Sequence, residues 1–65
     1  MNTYVLSELE QTYSHKLISL ENIMWGLTYY DELVIIEPGV FATKHDLEAM
    51  LDEAETDQDR MASDK

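Results

Sequence analysis

The side chains whose types and spacing could carry chemistry are His15 and His45, the serines at 7, 14 and 19, and a crowd of carboxylates toward the C-terminus. No spacing pattern joins the two histidines. His45 falls in the first turn of an expected helix, where the positive end of the dipole disfavours a protonated imidazole. The carboxylates at 53, 55, 57 and 59 alternate like the opening of a calcium loop. Such a loop needs Asp first, Gly sixth and Glu twelfth. Counted from Glu53, those places hold Glu53, Gln58 and Asp64. Without the glycine the sharp turn is lost, and an acidic, solvated helix end is the better account. Ser7, Ser14 and Ser19 lie on a polar helix rather than at a strand-to-helix elbow. Ser14 and His15 are neighbours whose side chains point about 100° apart on a helix. A Gly-rich phosphate loop is missing from a chain with two glycines. The expectation is a protein with no enzymatic activity, no cofactor and no metal.

The remaining candidate is an acidic surface. Glu48, Asp52 and Glu55 stand at i, i+4 and i+7 and would share one helix face. Like charges at that spacing repel by a few tenths of a kcal/mol, roughly, per pair. Such a row is either a solvated face or a surface kept for a basic protein partner. DNA mimicry is the sharp form of the second reading, with carboxylates standing where phosphates would bind.

The elements that must position these residues follow from periodicity. Leu6, Leu9, Tyr13, Leu17, Leu20, Met24 and Leu27 fall within an arc of about 80° at helical spacing. They predict one long helix over residues 3–30, capped by Asn2 or Thr3. Ser7 with Glu10 offers a later capping box, in which case residues 3–6 form a short extended entry. Tyr13, Ser14 and His15 have weak helix propensity and mark a place where the helix can break. Ile18, Trp25 and Tyr29 form a second apolar stripe about 100° or more from the first. That stripe is buried by residues 33–54 or meets a second chain. The small size favours the second, so both stripes are candidate partner or dimer interface.

Leu33-Val34-Ile35-Ile36 is a β-branched run. Glu37-Pro38-Gly39-Val40 has Pro and Gly in the central places of a type II turn, and Val40-Phe41-Ala42 returns. This predicts a short extended or hairpin segment that must pack on something. Thr43 and Asp46 then have capping spacing for a shorter acidic helix, with Phe41 folded over Leu47. Its apolar face is Leu47, Met50, Leu51 and Ala54. Glu55, Asp57 and Asp59 would fray its end. Leu20, central in the long stripe, is therefore expected to matter more to stability than Leu51.

The bulk numbers agree with a partner-dependent protein. At 65 residues the chain buries only about 60% of its unfolded surface. It has no cysteines to cross-link it. Its charge is -10, from 14 acids and 4 bases. The last twenty residues hold eight of the acids. That charge opposes direct binding to nucleic acid and to anionic lipid. No apolar run is long enough to span a membrane, and the first residues lack the basic region of a secretory signal. The cytoplasm is the expected compartment.

No motif assigns a family. The order of helix, Pro-Gly hairpin and acidic helix is similar to that of small plasmid and phage accessory proteins. It also resembles antitoxins built from an N-terminal dimerisation unit and a toxin-binding tail. That resemblance implies a dimeric repressor presenting basic residues to DNA. Here Lys16 is the one Lys or Arg among the first 43 residues. The expected fold is mainly α: a single helical domain over residues 1–56 and an acidic mobile tail over 57–65, paired as a helical homodimer. The alternative is a small α+β fold. The expected function is a non-enzymatic, protein-binding regulator, with a DNA-mimic inhibitor and an antitoxin-like repressor as the other readings.

Overall fold

The Pro38-Gly39 turn organises the molecule. A computed structural model describes residues 1–62. In it Gly39 takes φ 81°, a left-handed conformation that glycine adopts without a Cβ clash. The turn joins β2 (Leu33–Glu37) to β3 (Val40–Thr43) as an antiparallel hairpin. Leu33 faces Thr43 and Ile35 faces Phe41, with a bulge between Ile35 and Glu37. A third strand, β1 (Asn2–Val5), pairs with the other side of β3, Asn2 opposite Thr43 and Val5 opposite Val40. The sheet order is β1-β3-β2.

This corrects the mainly helical reading. The protein is a small α+β fold, with four helices and a three-stranded antiparallel sheet among its described residues. The expected long N-terminal helix divides into β1, α1 (Leu6–Thr12) and α2 (Leu17–Tyr29). The sheet is the physical reason for the first division. Backbone pairing to β3 holds Asn2–Val5 extended, and the Leu6 amide donates to the Gly39 carbonyl at 2.8 Å, so α1 starts on the hairpin turn. The second division falls at the weak stretch Tyr13-Ser14-His15. There the Lys16 amide turns back to the Tyr13 carbonyl at 2.8 Å.

Leu9, Leu20, Leu27, Phe41, Leu47 and Leu51 form the core. Tyr4 stacks obliquely on Phe41, ring centroids 5.7 Å apart. The last two leucines come from α3 (Leu47–Glu53). Its N-cap is Asp46, which accepts from the Ala49 amide at 3.1 Å, rather than Thr43, which belongs to β3. The acidic helix ends at Glu53. The expected tail over 57–65 divides: Asp57–Ala62 form α4, and 63–65 lie outside the described residues.

Side chains from distant parts of the sequence close the helix ends, which otherwise leave backbone groups unpaired. Lys16 donates to the Leu51 and Asp52 carbonyls, at 2.7 and 3.2 Å, where a cation also suits the dipole of α3. Asp57 accepts from the Ile18 amide at 2.9 Å in the first turn of α2. Buried Ser19 donates to the Glu55 carbonyl at 2.7 Å and accepts from Arg60 Nε at 2.9 Å. Among the described residues no helix is long and apolar enough to cross a membrane.

Candidate protein-binding site

Helix α2 shows solvent much of its apolar surface. Within the first stripe, Leu20 and Leu27 enter the core, while Leu17 and Met24 turn toward a groove beside α1. From α1, Leu9 is buried in the core, and Leu6 is half-buried between core and groove. Half-buried Tyr13 packs on the core and donates its hydroxyl to Asp52 at 3.4 Å. Partial burial, then the charges of Asp52, Glu48 and Asp46, hold the Tyr13 phenol above its ordinary value of 10.0.

In the second stripe, Ile18, Trp25 and Tyr29 all remain exposed, Trp25 at 68%. Trp25 forms one rim of the groove, which encloses about 530 Å³. Glu10 on α1 and Glu21 on α2 also line it. Sequence reasoning named the leucines, Met24 and Trp25, but missed both glutamates. Nothing in the spacing brings residue 10 to residue 21. The break at residues 13–15 does so, because it lets α1 fold beside α2.

A second uncovered surface lies on the sheet. Register puts Tyr4, Phe41, Leu33 and Ile35 on the face toward the core. The other face shows Thr3, Val5 and Val34 to solvent around half-buried Val40 and buried Ala42, with Glu37 opposite Val40. An open face of an antiparallel sheet is ordinarily polar, yet here it is chiefly apolar. At the free edge, Val34, Ile35 and Ile36 are all exposed, Ile35 at 64% despite facing inward. The run of β-branched residues was visible in the sequence, whereas its position at an edge was not.

The acidic face is smaller than its spacing suggested. Glu48 and Asp52 share α3, but the chain turns extended at Ala54, and Glu55 leaves the helix. The row at i, i+4 and i+7 is therefore broken. His45 pairs through Nε2 with Glu32, tying the two ends of the hairpin together. The His15 carbonyl accepts from the Asp57 amide at 2.8 Å. Among the described residues no three His, Asp or Glu side chains gather as a metal-binding group.

No family model matches the chain, and no curated protein or solved structure matches it either.

Proposed function

We propose that this chain is a non-enzymatic, acidic regulator in the cytoplasm that acts by binding a basic protein, and that it works as a homodimer joined through β2. The observation that carries the reading is the exposed run Val34-Ile35-Ile36 on a free strand edge. Natural proteins protect such edges with charge, proline or a covering element, because unpaired backbone groups recruit another strand. The ends of this run carry Glu32 and Glu37 while its centre is bare.

A second copy fits that pattern. Two-fold pairing requires a self-complementary patch. Antiparallel pairing centred on Ile35 sets Val34 against Ile36 and Leu33 against Glu37. No carboxylate then lies directly opposite another. Parallel pairing would set each Glu37 beside its copy, which like charge opposes. The result is a six-stranded sheet with its apolar outer face continuous across both chains. The groups suited to chemistry serve structure instead: Ser19 links α2 to Glu55 and Arg60, and His45 holds Glu32.

Sedimentation equilibrium at micromolar concentration tests the dimer. The expected mass is twice 7.6 kDa, and Ile35→Lys should give the single-chain mass with its circular dichroism unchanged. A wild-type mass of one chain, with cooperative unfolding, would refute it.

A further inference from the structure

We infer that the α1–α2 groove is the docking site for a basic amphipathic helix of the regulated protein. The inference rests on the protein-binding reading above and supplies the chemistry of its partner. From Leu17 to Thr28 the α2 wall spans twelve residues, about 16 Å over its eleven rises of 1.5 Å. That length seats about three turns of a helix. Leu17, Met24 and Trp25 on one wall and Leu6 on the other present apolar surface. An occupant with apolar residues at i, i+3 or i+4, and i+7 matches it.

Backbone chemistry selects a helix over a strand. Both walls are helices, which present no strand edge, so the groove offers no ladder to an extended segment. An occupant that displaces water there must satisfy its own amides, as a helix does. Charge selects its sign. Glu10 and Glu21 stand on opposite walls, both exposed, with no ion pair to either among the described residues. A helix carrying Lys or Arg beside its apolar stripe meets both. A second copy of this chain does not. Its helices bring Glu8 and Glu10, Glu21, Glu48 with Asp52 and Glu53, or Asp57 with Asp59, and these would face like charge.

Trp25 is the single tryptophan, so the groove carries its own reporter. The probes are two tryptophan-free 14-residue helical peptides with the same leucine stripe, flanked by Lys in one and by Glu in the other. The Lys peptide should shift Trp25 emission to the blue and saturate, with affinity falling as salt is raised. The Glu peptide should not bind. Replacing both Glu10→Gln and Glu21→Gln should weaken the Lys peptide roughly three- to tenfold, as expected for exposed ion pairs. Glu48→Gln with Glu53→Gln, on α3, should leave it unchanged. Equal binding of both peptides, equal loss in the two double variants, or no shift with the Lys peptide would overturn the inference. The sedimentation result is independent: an intact dimer with a silent groove removes the helix site alone, and a single-chain mass with Lys-peptide binding removes the dimer alone.

Discussion

Leu51→Ala should be among the most damaging single changes in this protein, and Leu17→Ala among the mildest of the leucine truncations. Leu51 is 0% exposed, whereas Leu17 is 42% exposed on the groove wall. Truncating a buried leucine removes transfer free energy and leaves a cavity, together about 2–5 kcal/mol. Leu51 lies at the high end of that range for a second reason. Its own carbonyl accepts from Lys16 at 2.7 Å, so a collapse of α3 into the cavity also moves that bond. Leu17 loses about half as much buried area and leaves no enclosed void, so roughly 1 kcal/mol is expected. A domain of this length has total stability of about 3–10 kcal/mol. With a urea slope of about 1 kcal/mol per M, Leu51→Ala should lower the midpoint by about 3 M or abolish the folded baseline. Leu17→Ala should lower it by about 1 M. Far-ultraviolet circular dichroism at one fixed protein concentration is the assay. Equal midpoints for the two variants would refute the packing argument. Leu20, 3% exposed, should resemble Leu51, which replaces the ranking that periodicity suggested.

Ser19→Ala should cost about 1–3 kcal/mol, because it removes the buried hydroxyl that donates to the Glu55 carbonyl and accepts from Arg60; urea titration reads it. Asp31→Gly should stabilise by about 1 kcal/mol. Asp31 sits at φ 61° just past α2, where its amide and that of Glu32 donate to the Thr28 and Leu27 carbonyls, a place glycine takes without strain. Gly39→Ala should destabilise by a similar amount, roughly 1 kcal/mol or more, for the mirror reason; thermal midpoints moving the same way in both variants would contradict this. Tyr13 should ionise above its ordinary value of 10.0 in an absorbance titration, read as the difference from Tyr13→Phe. Its proton is held above pH 10.0 in the folded chain and lost first in the unfolded one, so its contribution to stability is complete below pH 10.0 and declines as pH rises through the folded value. Tyr13→Phe should flatten that decline.

The hairpin was legible because its signals are local: a β-branched run, then Pro-Gly. Leu47 and Leu51 on the apolar face of α3 were legible for the same reason, whereas Met50 stays exposed and Ala54 falls past the helix end. An extended entry over residues 3–6 was legible as the alternative start, but its pairing as β1 was not, since Asn2–Val5 find their partners about forty residues away. The place of the break between α1 and α2 was legible in the weak helix formers Tyr13-Ser14-His15, and phase hid only that the chain does break there. Tyr13 and Leu17 keep a spacing of four across it, so the apolar stripe continues on paper after the helix has stopped. The fate of Asp57 and Asp59 turned on a boundary. In a helix running on from Thr43 they would sit at the negative end. Because the chain turns extended at Ala54, they open a new helix, where their charge is favourable. Trp25 could be singled out as the lone tryptophan. The pairing of Glu10 with Glu21 depends on an inter-helix angle that no local pattern carries.

The register of β1 bears on how the protein is made. β1 leaves the ribosome some 35–41 residues ahead of its partner strand, Asn2 pairing with Thr43 and Val5 with Val40. At about 5–20 residues per second, a nascent chain holds Tyr4 and Val5 unpaired for roughly 2–8 s before β3 exists. On a crowded polysome, neighbouring chains present the same waiting strand and the same vacant hairpin. Exchange of β1 between copies is then the natural error of synthesis. A short first strand, four residues long with Asn2 and Thr3 at its start, weakens any such exchanged pairing and lets it reverse.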